Sequence, residues 1–212
     1  MVEESIPRFT DAEVEAARPE KEPVDPERPY AFHVEKERDA AGRVADVATL
    51  FLTNRECPFR CVMCDLWKHT TDEPVEEGQI PRQIRHGLDR LPEARHLKLY
   101  NSGNFFDRKA IPPADRAEIA RLADPFETVV VENHPALCTE DCRAFADRLD
   151  GELEIALGLE TVHPDVLPAL NKKMTVDDFR AAVERLGDWD IPTRAFILLR
   201  PPFLDEEEGV EW

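Results

Sequence analysis

Three cysteines stand within eight residues, in the run Cys57-Pro58-Phe59-Arg60-Cys61-Val62-Met63-Cys64. Their spacing is C-x3-C-x2-C. Thiolates are the natural protein ligands of iron–sulfur clusters. Three on one short loop can grip three corners of a cubane and leave the fourth iron without a protein ligand. The other chemistry open to them is zinc. Zinc prefers a closed tetrahedral site, and His69 would be its fourth ligand. The two remaining cysteines, Cys138 and Cys142, are too few for an auxiliary cluster and are expected to be buried apolar fillers or surface thiols at a helix start.

The chain around this motif is acidic. Its 212 residues carry 45 acidic and 27 basic side chains, a formal net charge of −18. Such a balance repels polyanions at long range, so direct binding of nucleic acid without help is not expected. A local basic patch around Arg82, Arg85 and Arg90, or a basic partner protein, would have to supply that grip. Hydrophobic residues make up 42 % of the chain, close to the globular norm. The longest apolar runs, such as residues 195–199, are too short to span a bilayer, so no membrane association is expected. Residues 1–5 are acidic and unlike a signal peptide, and the odd cysteine count does not read as a disulfide framework. Together these features predict a cytoplasmic protein in a reducing compartment.

The cysteine loop needs elements to hold it. Residues 1–46 are charged and contain Pro7, Pro19, Pro23, Pro26 and Pro29, which predicts an N-terminal arm with a short helix near residues 11–17. From residue 47 to 212 short apolar strands alternate with amphipathic helices. Strands are predicted at 47–53, 97–101, 128–131, 153–159 and 194–199, with helices at 79–91, 114–123, 139–149 and 176–186. Thr139 and Thr175 are the predicted caps of the last two helices. Strand–helix alternation means parallel strands joined by crossovers, hence an α/β fold of the partial (β/α) barrel kind. Barrel chemistry gathers at the C-terminal ends of strands. Cys57 follows the first strand. Ser102, Gly103 and Asn104 end the second, Glu132 and His134 the third, Glu160 the fourth and Arg200 the fifth.

The cysteine motif placed directly after the first strand resembles the radical S-adenosylmethionine (SAM) superfamily. Residues 99–107, 132–135, 155–161, 171–179 and 196–203 resemble the branch that contains the archaeosine synthase radical SAM subunit, with the catalytic subunit of Elongator a more distant relative. The resemblance covers residues 47 to about 208. It implies a [4Fe–4S] cluster on Cys57, Cys61 and Cys64, and SAM bound at the free iron. It further implies that Met63 lies against the adenine and that Ser102, Gly103 and Asn104 meet the SAM amino group. Glu132 and Glu160 become candidates for other polar groups of SAM, the alternative for each being a structural ion pair at a strand end. Arg200 would meet the SAM carboxylate or an anionic substrate. The implied activity is reductive cleavage of SAM and hydrogen abstraction from a substrate, with a tRNA nucleoside the leading class. A flavodoxin- or ferredoxin-type protein would deliver the electron, and a second protein would present the substrate.

The sequence departs from that family in one respect. Six strand–helix units are usual, and five strands are read here before residues 205–212 begin a further helix, so a core lacking its sixth unit is expected. The rival reading is a non-catalytic iron–sulfur or zinc-binding interaction module. His134 is expected to cap or pack, and residues 171–173 to form either a solvated turn or a ligand contact.

Overall fold

The computed structural model describes residues 6–38 and 42–212; the acidic run 1–5 lies outside them. Six strands form one sheet in sequential order: β1 (Ala31–Arg38), β2 (Val44–Phe51), β3 (His96–Tyr100), β4 (Thr128–Asn133), β5 (Glu152–Glu160) and β6 (Thr193–Ile197). β1 runs antiparallel to β2, and β2 to β6 are parallel throughout. The sheet curls into a half-barrel, the partial (β/α) barrel expected from strand–helix alternation.

Helices connect the parallel strands: α2 (Gln79–Leu88), α3 (Arg116–Ala123), α4 (Glu140–Ala146) and, between β5 and β6, α5 (Val166–Ala169) and α6 (Val176–Gly187). They follow α1 (Asp11–Ala16) and precede α7 (Glu206–Glu211). Period-two alternation along the strands decides which face each residue joins. Leu50, Leu97, Leu99, Val129, Val131, Ile155 and Leu157 all point to the helices and share one core with Ile80, Ile84, Ile119, Phe145 and Leu186. Their neighbours in sequence, among them Thr49, Lys98, Glu154 and Arg194, face the inside of the curl. There they form a polar network with Glu35 and Glu37 of β1. Capping works as read. Thr175 forms a capping box with Asp178, and the Thr139 hydroxyl accepts from the Asp141 N–H.

One boundary moves. The arm expected to run to residue 46 contains the whole of β1, and the division at 46/47 falls inside β2. β1 escapes sequence reading because it is an edge strand with one wetted face: exposed and half-buried positions alternate, and AFHVEKER offers no apolar run.

A close approach fixes α2 on the sheet. A Cβ on Gly87 would stand 2.8 Å from a methyl of Leu50, which is fully buried. Gly87→Val should therefore overpack this contact and cost about 2 kcal/mol. Urea unfolding followed by circular dichroism measures it.

Candidate cofactor site

The strand ends meet at one cavity of about 270 Å³. Cys57, Cys61, Cys64 and Met63 line it from the loop after β2, Ser102, Gly103 and Asn104 from the end of β3, Glu132 from β4, and Glu160 from β5. Phe59, Trp67 and Phe196 add apolar wall.

The cysteine loop is held from two sides. On one side the 170–173 segment grips it: the Val62 N–H donates to the Leu170 carbonyl at 2.9 Å, and Asn171 Nδ2 donates to the Arg60 carbonyl at 2.8 Å. Asn171 reaches this position at φ 54°, in the left-handed region where asparagine is among the tolerated residues. On the other side stands the N-terminal segment. Arg60 pairs with Glu15 at 2.5 Å, while Arg18 and Lys21 pair with Glu56 at 2.7 and 2.8 Å. Arg60 also closes the loop on itself through the Cys57 carbonyl at 2.6 Å.

Burial pushes the Cys57 thiol up to about 11 and Cys61 up to about 12, and raises Cys64 as well. Hydrogen bonds from the Phe59 N–H and from Asn104 Nδ2, at 3.2 Å, oppose this at Cys57. The Leu66 N–H does so at Cys64, and the Lys172 charge at Cys61. Bare, these groups are neutral thiols at pH 7. The N–H donors and cations aimed at them suit thiolates, and hydrogen bonds to sulfur are a recognised lever on iron–sulfur clusters. The donor set therefore fits a group whose metal charge drives the thiols to ionise. His69 stacks on Tyr30 with 4.5 Å between ring centroids and does not line the cavity. Among the described residues no three His, Cys, Asp or Glu side chains close on a single metal-ion position.

The acidic residues at the strand ends are engaged with protein. Glu132 Oε1 accepts from the backbone N–H of Asn101 at 2.7 Å and of Gly103 at 3.3 Å, and so fixes the loop after β3. Burial raises its pKa, against the pull of these N–H groups and that of Ser102. Glu160 pairs with Lys172 at 2.8 Å, both side chains about 11 % exposed. Gly158 makes that pair feasible, because any Cβ there would collide with the Glu160 carboxylate and the Lys172 ammonium. His134 Nδ1 accepts from the Ala136 N–H, so the proton sits on Nε2, which donates to the Lys172 carbonyl at 3.0 Å. Its ring stacks on Phe59 at 3.9 Å. His134 thus caps and packs. Cys138 and Cys142 are fully buried behind β4.

Of the ten residues singled out by sequence, nine line the cavity. Arg200 does not: it is exposed, three residues past the end of β6. That strand is short, so the chain turns away before the arginine can reach the cavity. Sequence reading missed Arg18 and Tyr30, whose hydroxyl meets the Ser102 hydroxyl at 2.9 Å. Both come from the segment taken as an arm. It also missed Gly158, although a glycine inside a strand is itself a signal of close approach.

A family model described as the radical SAM superfamily matches residues 51–210. The chain belongs to the radical SAM superfamily. The chemistry shared by that superfamily is radical formation by SAM cleavage. Among curated relatives, this radical SAM protein is 23 % identical to an uncharacterised protein of Methanocaldococcus jannaschii over 88 % of its own chain and 55 % of the relative. It is 28 % identical to archaeosine synthase subunit beta of Thermococcus kodakarensis, over 71 % of this chain and 49 % of that one. The same subunit of Methanosarcina acetivorans is 29 % identical, over 71 % and 46 %. The chain thus spans about half the length of the curated relatives it matches.

Two outcomes follow. Gly158→Ala should break the Glu160–Lys172 pair and lower stability by about 3 kcal/mol, measurable by thermal unfolding. His134 gives a pH signature. Burial holds its pKa down at about 4, below the ordinary 6.5. The unfolded chain therefore binds the extra proton, and stability falls as pH drops from about 6.5 to about 4, by up to about 3 kcal/mol. In urea titrations across this range, His134→Gln should show a flatter slope than wild type.

Proposed function

We propose that this chain holds a [4Fe–4S] cluster through Cys57, Cys61 and Cys64 and cleaves SAM reductively beside it. The substrate we assign is a tRNA nucleoside presented by a partner protein. The observation that carries the reading is the convergence of the three sulfurs, with N–H donors aimed at two of them, on the cavity where five parallel strands end. Loaded with the cluster, the site would supply one electron to the SAM sulfonium and yield a 5′-deoxyadenosyl radical for hydrogen abstraction.

The residues of the chain bind and shield. Met63 is the assigned adenine contact. The backbone at Ser102 and Gly103, kept in place by Glu132, would meet the SAM amino group, and Gly103 leaves room beside Cys57. Asn104 serves the Cys57 sulfur. Glu160 is held by Lys172 at the cavity wall, ready to accept from a ligand hydroxyl with its second oxygen. Phe59, Trp67 and Phe196 exclude water that would quench a radical.

The tRNA assignment rests on the two relatives named as archaeosine synthase subunit beta, a name that also makes them parts of an assembly. Physical chemistry supports a presenting partner. The chain carries a net charge of −18, and at the one candidate basic patch Arg82 pairs with Glu27 and Arg85 with Glu118. A flavodoxin- or ferredoxin-type protein is the assigned electron source. Among the described residues no helix is long and apolar enough to cross a membrane.

Anaerobic reconstitution tests the reading, with iron, sulfide and zinc assays and then SAM plus dithionite. Wild type should bind iron and sulfide and release 5′-deoxyadenosine. Cys57→Ala, Cys61→Ala and Cys64→Ala should each lose both, and Cys138→Ala should keep both. Zinc without sulfide, or a cluster that never cleaves SAM, would instead mark an interaction module.

A further inference from the structure

Arg18 occupies an unusual position for a residue of an N-terminal segment. It follows α1, yet its side chain is only 12 % exposed and lines the cavity beside Cys64, Asp65 and Trp67. Three contacts hold it there. Nη1 donates to Glu56 Oε1 at 2.7 Å, the guanidinium carbon lies 4.8 Å from the centre of the Trp67 ring, and the backbone just beyond is tied down by the Glu22 N–H to the Lys68 carbonyl at 2.9 Å. Its Nε is buried and has no hydrogen-bond partner among the described residues. A buried, unsatisfied guanidinium nitrogen carries a desolvation cost that an anion in the cavity would offset.

Asp65, the acid beside Arg18 at the cavity, is 73 % exposed and pairs with Lys68 at 3.2 Å. Glu56 takes one arm of Arg18 but is shared with Lys21 and, at 3.2 Å, with Arg60. Three cations thus stand on one carboxylate immediately before Cys57. The remaining acids of the group, Glu15 and Asp72, hold Arg60 and Lys21 from the outer side.

We propose that Arg18 is the electrostatic counterweight of the cysteine-held cluster: a cation brought into the cavity by the N-terminal segment to stabilise the added electron. The proposal rests on the cluster reading given above. Three thiolates bring three negative charges into a partly buried site, and reduction by one electron from the donor protein, or from dithionite in vitro, adds another. A fixed positive charge alongside favours the reduced state, and a low local dielectric strengthens the effect. Guanidinium suits the task because it stays ionised when buried and stacks on an aromatic face. Arg18 acts here as a positioning and electrostatic residue, with no reacting atom of its own.

The test is an EPR-monitored redox titration of reconstituted protein, wild type against Arg18→Gln and Arg18→Lys, with iron and sulfide measured on each. Arg18→Gln should retain its cluster yet show an equilibrium constant for reduction lower by about tenfold, equal to about 59 mV for one electron. Arg18→Lys, which keeps the charge, should recover most of that difference. A full cluster in Arg18→Gln with an unchanged midpoint overturns the proposal. If Arg18→Gln loses its iron, retention in Arg18→Lys supports the role of charge, while loss in both shows that Arg18 acts through packing and overturns it. Wild-type protein that binds no iron–sulfur cluster refutes the proposed function itself, and the metal assay shows this before any variant is compared.

Discussion

Parallel pairing of β2 to β6 is the constraint from which the site follows, because it brings five strand ends to the same side of the sheet. Each end carries a short polar segment that could not sit in the apolar layer between sheet and helices. The cysteine loop, the Ser102–Gly103 turn, Glu132 and Glu160 therefore meet with no direct contact in sequence. Branched aliphatic side chains on the helix side give the sheet the rigidity that holds these ends still.

Within that frame the cysteine loop has no regular structure of its own beyond short turns, and its shape is imposed from outside. Asn171 and the Leu170 carbonyl hold one flank, and the Glu15, Arg18 and Lys21 ion pairs hold the other. Surface ion pairs of this sort contribute little singly. Here several share Glu56, which is only 16 % exposed, and the network fixes the residue next to Cys57. The two carboxylates at the strand ends have comparable duties: Glu132 orders a loop and Glu160 anchors a lysine. Much of what looked like ligand-binding polarity in sequence is therefore scaffolding for the cavity, and the sulfurs are left as its distinctive chemical groups.

Some features were legible because they are local. C-x3-C-x2-C spacing needs only a short loop to bring sulfurs together. Apolar periodicity gave the five parallel strands and the main helices, and threonine followed by acidic residues gave two caps. Helix ends were read too long: the helices stop at Leu88 and Ala146, while Leu91 and Leu149, which extend the apolar spacing, pack against the core from the irregular segments that follow. β1 was lost because an edge strand with charged positions resembles a solvated arm. Arg200 was assigned by counting along a strand that ends sooner than its apolar run suggests.

The sequence by itself determined the α/β alternation and the family to which the chain belongs, and it nominated the three cysteines of the loop, since each depends on residue type and near-neighbour spacing. Only the tertiary structure decided that Arg18 and Tyr30 belong to the site, that Glu160 is paired with Lys172 across Gly158, and that His134 is a neutral packing group. These are contacts between segments separated by 12 to 72 residues or conditions set by burial. No local pattern encodes them, because desolvation and ion pairing depend on which distant surfaces the fold brings together.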